Sequence, residues 1–296
     1  MTSEVPAAAT REARETREPE VGRRINWEGI AKQTVLIGFA LLILFPAYFL
    51  FVTPFKTQAG YSLDKLGLPN PVYFGNFQTA LRGGRFFLWF ANSLILVAGA
   101  VTLSTAVSAL AAFAFARMRF RGQAPLLAIV TALMVVPPVV MIIPLFVFFS
   151  RLDLTSTYLS AVLVYAGLIT PFAVYLLTNF FRTIPHEIVE SALMDGATSL
   201  GILAKILIPL SAPALVTLIV VNSLWVWSDL LIALVLLPSD SKRTLMVGIT
   251  VFGSRYNSDV PVAMAGMIMA SIPMLLLYIF GQRYFTRGLV AGALKG

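Results

Sequence analysis

Cysteine is absent from this chain of 296 residues, and histidine occurs once, at His186. The missing thiols exclude disulfides and thiolate metal ligands, and a single imidazole without a cluster of acids predicts no metal site. Charge is also scarce, since only 12 % of the residues are Asp, Glu, Lys or Arg. An average soluble domain carries about 25 % charged residues, so this composition indicates a different environment.

Hydrophobic residues take the place of the missing charges and make up 58 % of the chain. Charge is absent from six stretches, namely 33–55, 86–116, 122–150, 154–181, 206–228 and 260–282. Each is long enough for a helix that crosses the roughly 30 Å of membrane hydrocarbon, which takes about 20 residues. The stretches are continuously apolar rather than alternating, which favours helices over a barrel. The sequence therefore predicts an all-α membrane protein with six transmembrane helices.

Proline occurs inside several of these stretches, and kinks or breaks are expected there because proline removes a backbone donor. The positions are Pro46, Pro137, Pro138, Pro144, Pro171 and Pro273. Small residues are frequent in the second and sixth stretches, which predicts that these helices pack closely against others.

The charged segments indicate how the chain is oriented. Residues 1–32 lack the apolar centre of a signal peptide, so we interpret them as a mostly disordered tail before a membrane domain at 33–296. Arg117, Arg119 and Arg121 form a short basic loop without acids, and such loops stay in the cytoplasm. Both termini are then cytoplasmic. The net charge of +8 reflects loops beside membrane lipid rather than a surface for nucleic acid.

The longest segment predicted to lie in the cytoplasm between two apolar stretches runs from about 182 to 205. Pro185 suits the first turn of a helix, Glu187 follows near its positive end, and Gly196 tolerates the positive φ of a helix terminus. Thr198 or the serine after it can cap the next segment. On physical grounds alone this segment either merely connects two spans or binds a partner, and both interpretations remain open.

One run within this loop, Glu190-Ser-Ala192-Leu-Met-Asp195-Gly196-Ala197, resembles the cytoplasmic signature of binding-protein-dependent ABC importer permeases. Pro209 lies at the distance at which the family's Leu-Pro pair ends the signature. The chain departs from the family pattern at Ser191 and Ile208, where alanine and leucine are usual. The resemblance implies that the residues that couple the chain to a separate ATPase are Glu190, Ala192, Asp195, Gly196, Ala197 and Pro209.

The resemblance to this family extends over most of residues 70–296. It includes Asn92-Ser93 and the segments 179–185, 225–229 and 288–296. Within the family, the chain is similar to the carbohydrate-uptake branch and to its maltose-permease-like second subunit. The resemblance therefore implies a type I ABC importer permease fold, a location in the bacterial inner membrane, and import of a sugar or related small solute.

The same resemblance implies a set of partners. They are a homologous second permease, two copies of an ABC ATPase, and an extracytoplasmic solute-binding protein. ATP and Mg would be bound by the ATPase, so this chain is expected to be a transport subunit rather than an enzyme, with no cofactor of its own. None of its six lysines directly follows a glycine, as a phosphate-binding Gly-Lys-Ser/Thr loop requires.

A substrate pathway is predicted along the fifth apolar segment. Asp229 is the one acid in this segment, and an acid within a membrane is a functional candidate by default. Asn222, Trp225 and Trp227 lie close to it in sequence, and aromatic faces suit sugar rings. A structural role, with the tryptophans in the interfacial belt, remains the alternative for this group.

Two other classes of protein fit the composition less well. An ion-coupled secondary transporter predicts several buried ionisable residues and two related halves, and neither is evident here. A membrane-embedded enzyme needs catalytic residues at suitable spacing, whereas the acids of the outer loops are far apart in sequence.

Overall fold

The computed structural model of the chain describes residues 27–82, 85–252 and 259–293. Within these ranges every regular element is a helix, which confirms the predicted all-α fold. In chain order the α-helices are α1 (Trp27–Val52), α2 (Gln58–Leu63), α3 (Gly75–Leu81), α4 (Arg85–Arg117), α5 (Gln123–Ala132), α6 (Pro138–Arg151), α7 (Tyr158–Thr183), α8 (His186–Met194), α9 (Ser199–Ile202), α10 (Ile208–Leu210), α11 (Ala212–Ser228), α12 (Leu231–Leu236), α13 (Leu245–Phe252) and α14 (Val260–Ala293).

The chain divides into two units, residues 1–47 and residues 48–296. The described part of the first unit is α1 up to Ala47, and residues 27–32 of the predicted tail already belong to this helix. The rest of the predicted tail, residues 1–26, lies outside the described residues, so its disorder stays a prediction. The second unit contains the end of α1 and all later helices.

The long apolar helices agree with the six predicted crossings. Four of them, α1, α4, α7 and α14, are each long and apolar enough to span a membrane. Two bent pairs pass the same test of length and composition: residues 123–135 with α6 at 98°, and residues 199–210 with α11 at 79°. With each pair counted as one crossing, the described residues provide six spans, as the sequence predicts.

Proline explains both bends. In the first, Val136 and Pro137 have extended backbones, because a residue before proline is driven out of the helical region. In the second, Pro209 and Pro213 both remove N–H donors around Ser211, where α11 begins after a π-helical turn at Leu203–Leu207. The other predicted kink sites, Pro46, Pro144, Pro171 and Pro273, lie within helices that continue through them.

Helices α4 and α7 pack closely along their length, as the small residues of the second apolar stretch predict. A Cβ atom added to Gly99 would lie 2.9 Å from Val162 Cγ2, so the backbone of α4 directly meets the side chains of α7. The small residues of α4 that are buried include Ala100, Ser104, Ser108, Ala109 and Ala112.

Two apolar clusters form the interior of the second unit. The first surrounds Trp89, Tyr165 and Trp227 and joins α4 and α7 to α11, α12, α13 and α14. The second surrounds Phe181 and Leu207 and joins the other ends of α4 and α7 to α8 and α11. Because α8 belongs to this second cluster, the short helix between two spans is packed against the bundle rather than suspended from it.

Candidate functional site

Helix α8 has the limits that the sequence predicts. Pro185 occupies the N-cap position and Glu187 lies in the first turn. At the other end Gly196 has φ of 80°, in the left-handed region. The N–H of Gly196 donates to the Leu193 carbonyl at 3.0 Å, and the N–H of Ala197 donates to the Ala192 carbonyl at 2.9 Å. These two bonds form a Schellman motif, which ends the helix and turns the chain.

The two faces of α8 differ in character. Val189 and Ala192 are buried against the second apolar cluster. The opposite face carries large apolar side chains in the open, and Met194 is 88 % exposed. We call the exposed surface of α8 the docking face; it comprises Glu187, Ile188, Glu190, Leu193, Met194 and Asp195. Exposed apolar side chains ringed by acids are typical of a surface that another protein covers.

The predicted coupling residues therefore have different positions. Glu190 and Asp195 belong to the docking face, whereas Ala192 faces the bundle. Gly196 and Ala197 form the turn that follows the helix. Pro209 lies further along, at the bend into α11.

The chain after the turn is fixed by a second cap. The Thr198 hydroxyl accepts a hydrogen bond from the Gly201 N–H at 3.1 Å, which starts α9 as predicted for this residue. From there α9, the π-helical turn and α10 lead into the bend at Ser211. Gly196 and Pro209 thus determine how the path of the chain continues from α8 into the fifth span.

A cavity of about 550 Å³ lies between the first bent pair, α7 and α11. Its lining is apolar and aromatic and includes no charged side chain. Asn222 and Trp225 line it from α11, and Phe148 and Phe172 line it from α6 and α7. Two of the four residues predicted for a substrate pathway therefore meet at one concave surface.

Asn222 is the notable polar group of this cavity. Its side chain is 3 % exposed, and Nδ2 has no hydrogen-bond partner among the described residues. An unpaired amide donor in an apolar environment costs roughly 1–3 kcal/mol, so natural proteins seldom retain one without a reason. Asn222 and the exposed Trp225 ring, which lie side by side at an otherwise apolar concave surface, mark the cavity as a candidate binding site.

Asp229 borders a second cavity of about 460 Å³, which shares Trp225 and Pro138 with the first. The carboxylate follows the end of α11 and accepts hydrogen bonds from the N–H groups of Ile232 and Ala233, at 3.0 and 3.2 Å. It also accepts a bond from the Tyr165 hydroxyl at 2.7 Å. These three donors hold the carboxylate in place as the cap of α12, so the structural role left open by the sequence accounts for most of its contacts.

Trp227 lies on the other side of α11 and lines neither cavity. Its ring is buried, its Nε1–H donates to the Ala270 carbonyl of α14 at 3.0 Å, and it packs edge-to-face with Phe90. These contacts join α11 to α14 and α4. The structure thus separates Trp227 from Asn222, Trp225 and Asp229, with which the sequence groups it.

The residues that complete the cavity carry no pattern in the sequence that marks them as a site. Phe148 and Phe172 come from helices to which no site was assigned, and the concave surface exists because the chain bends at Val136 and Pro137. The adjacent prolines at 137 and 138 were the available signal. They indicated a break but not which neighbouring helices would meet across it.

The geometry describes a multi-pass protein with a short, partly exposed helix at one end of its bundle and a lined cavity among its apolar helices. Residues 104–289 match the family described as binding-protein-dependent transport system inner membrane component. The chain belongs to this family, which confirms the resemblance seen in its sequence. It is a transmembrane permease subunit of an ABC importer, which works with a binding protein, and an ion-coupled secondary transporter has no support.

Individual relatives agree with this assignment. The chain is 39 % identical over 262 residues to the putative ABC transporter permease protein ORF2 of Caldicellulosiruptor sp. (strain Rt8B.4), covering 88 % of this chain and 95 % of that protein. It is 31 % identical over 273 residues to the arabinooligosaccharides transport system permease protein AraQ of Bacillus subtilis (strain 168), covering 90 % and 96 %.

A solved structure has the same fold. It is a crystal structure of a bacterial ABC transporter involved in the import of the acidic polysaccharide alginate. The matched chain has a TM-score of 0.76 and 26 % identity, with 90 % of this chain and 100 % of that chain covered.

Proposed function

We propose that this chain is one of two permease subunits of an importer for a neutral sugar in a bacterial inner membrane. Its partners are a homologous second permease, two copies of an ABC ATPase that bind ATP and Mg, and an extracytoplasmic solute-binding protein. The chain itself hydrolyses no ATP. The observation that carries this proposal is α8, a short helix packed on the bundle with its docking face open.

The docking face suits the cleft of an ATPase. Met194 is one of the most exposed large apolar side chains of the described residues, yet it is the last residue of a helix that is packed against the bundle through Val189 and Ala192. Burying a methionine side chain is worth about 1.5–3 kcal/mol, so an apolar cleft would bind this helix with useful affinity. Glu190 and Asp195 on the same face add charge that a basic rim would complement.

Replacing Met194 by aspartate should release the ATPase from the permease. We expect the amount of ATPase that co-purifies in mild detergent to fall at least about tenfold, because about 1.4 kcal/mol corresponds to tenfold in affinity. The matched control is Leu63→Asp, since Leu63 is 90 % exposed on α2 and far from α8 in the chain. Equal amounts of ATPase with wild type and Met194→Asp would contradict the docking role, and absence of any ATPase with wild type would contradict the proposed function.

Both termini are cytoplasmic in the proposed orientation, and α8 then lies on the cytoplasmic side. Arg117, Arg119, Arg121 and Arg182 gather at the same end of the bundle as α8, which agrees with the excess of basic residues on that side of membrane proteins. In this orientation α2 lies on the extracytoplasmic side of the membrane.

The absence of cysteine allows a direct test of this orientation. Single substitutions Leu63→Cys and Met194→Cys place one thiol on each side of the membrane at highly exposed positions. A maleimide that cannot cross the membrane should label Leu63→Cys in intact cells, and Met194→Cys only in inverted vesicles from cells that lack the ATPase, which would otherwise cover this position. The reverse labelling pattern would show that the orientation is wrong, while the unsubstituted chain controls for background labelling.

A neutral sugar suits the cavity better than an acidic one. The lining carries no basic side chain, and the carboxylate of Asp229 borders the adjoining cavity. Moving an anion into such a site would be costly, because nothing there offsets its lost hydration. Aromatic rings and one amide donor instead suit the apolar faces and hydroxyls of a sugar. Relatives named for arabinooligosaccharides, diacetylchitobiose and alpha-glucosides support a carbohydrate substrate.

A further inference from the structure

Three arginines with the same apparent role in the sequence have different surroundings in the structure. Arg119 and Arg121 are exposed, as expected for a basic loop. Arg117 instead turns into the protein, and its Nη2 donates to the backbone carbonyls of Phe181 and Ile184. Arg117 therefore adds a positive charge to one side of the membrane and also binds the backbone of a neighbouring helix.

The two carbonyls lie at a critical place in the chain. Phe181 is in the last turn of α7, and Ile184 is the C-cap residue directly before the segment that begins α8. The final carbonyls of a helix have no partner within the helix. The Phe181 carbonyl accepts only one weak backbone bond, from the Ile184 N–H at 3.3 Å, and Arg117, at the end of α4, adds a second donor there and joins α4 to the junction between α7 and α8.

A second arginine makes the reciprocal contact. Arg182, near the end of α7, donates from Nη2 to the Phe115 carbonyl of α4 at 3.4 Å. Gln123 donates to the same carbonyl at 2.7 Å. We call the pair of contacts, Arg117 to Phe181 and Ile184 and Arg182 to Phe115, the arginine clamp. Each arginine also lies at the negative end of a helix, where a positive charge is favourable.

The remaining donors of Arg117 argue against a purely stabilising role. Nε and Nη1 are buried and have no hydrogen-bond partner among the described residues. Unpaired buried donors are unfavourable, so a side chain selected only for stability would be better placed in water. The arginine is held in this position by the two carbonyls at the start of the coupling segment.

We propose that Arg117 is a positioning residue that makes α8 move together with α4 and α7 as one body. When the ATPase displaces α8, the clamp transmits the displacement to the spans instead of letting the short connection at Ile184 and Pro185 bend. This inference rests on the proposed function, because it assigns the clamp to the coupling between ATPase and permease.

The test compares Arg117→Lys with Arg119→Lys in the complete importer reconstituted in vesicles. Lysine keeps the positive charge that determines orientation, but its side chain is one atom shorter, so its ammonium stops short of the two carbonyls that Nη2 of Arg117 reaches. We expect Arg117→Lys to lower the solute imported per ATP hydrolysed by about tenfold, the equivalent of one charge-assisted hydrogen bond. The amount of bound ATPase should stay unchanged, and Arg119→Lys should behave as wild type.

The possible outcomes separate the clamp from the function on which it rests. A wild-type ratio of import to hydrolysis in Arg117→Lys, with ATPase bound, would overturn the clamp and leave the proposed function intact. A wild-type importer that binds no ATPase would overturn the function itself. If Arg117→Lys fails to insert, Arg182→Lys tests the other half of the clamp by the same ratio, and a wild-type ratio there would also overturn the inference.

Discussion

Replacing Gly196 by proline is expected to abolish coupled transport while the chain still inserts into the membrane. Gly196 has φ of 80°, whereas proline fixes φ near −65°. Proline also removes the N–H that donates to the Leu193 carbonyl, and the shifted backbone misplaces the bond from Ala197 to Ala192. The Schellman motif can then no longer form, and the chain must leave α8 in another direction.

The size of this effect follows from the energies involved. A left-handed conformation costs a residue other than glycine about 1–2 kcal/mol, and a lost hydrogen bond adds about 1 kcal/mol. Proline faces a larger conflict, since it cannot adopt this φ at all. In the reconstituted importer we expect solute-stimulated ATP hydrolysis to fall at least about tenfold, which corresponds to about 1.4 kcal/mol.

Gly122 provides the matched control. It has φ of 85°, and it lies at the start of α5, on the same side of the membrane as α8. Gly122→Pro creates the same kind of backbone conflict in a loop that contains no part of α8 or of the turn after it. If Gly122→Pro lost as much stimulated hydrolysis as Gly196→Pro, the effect would be general damage. Retention of stimulation in Gly196→Pro would show that the turn is dispensable for coupling.

Asn222→Leu is expected to reduce transport without lowering the stability of the chain. The substitution removes a buried donor without a described partner, so the thermal stability of the detergent-purified chain should stay equal or rise. Import should fall by about tenfold, because an amide that turns toward the cavity could donate to a sugar hydroxyl and a leucine side chain could not. A structural asparagine would give the opposite pattern, with lower stability and wild-type import.

The tryptophans of the same helix give an internal comparison for this prediction. Trp225 lines both cavities, so Trp225→Ala should reduce import with little loss of stability. Trp227 is buried and bonded to Ala270, so Trp227→Ala should mainly lower stability. Equal import by wild type and both Asn222→Leu and Trp225→Ala would remove the cavity from the pathway.

Helix limits and bends can be predicted from the sequence because they depend on residues that are neighbours in the chain. Pro185, Gly196 and Thr198 mark the limits of α8 and α9, and each acts through hydrogen bonds or φ angles within a few residues. The bend at Pro137 was expected for the same reason. A proline in an apolar stretch does not always break the helix, since Pro171 and Pro273 lie within helices that continue through them.

Assignments that depend on distant residues were less complete. Arg117 looked equivalent to Arg119 in the sequence, and its contacts with Phe181 and Ile184 come from another helix. Trp227 looked equivalent to Trp225, although two positions along a helix turn a side chain to a different face. Asp229 was a functional candidate because it is an acid among apolar residues, and only Tyr165 and the start of α12 reveal it as a cap.

The sequence by itself determined the class of this protein. Six charge-free stretches and the run from Glu190 to Ala197 sufficed, because membrane insertion and the helix limits depend on composition and local chemistry. Only the tertiary structure decided which side of each helix faces a cavity, a neighbour or the open docking face. That choice depends on how bent and straight helices pack together, and packing brings together residues such as Phe148, Phe172 and Asn222 that no local pattern connects.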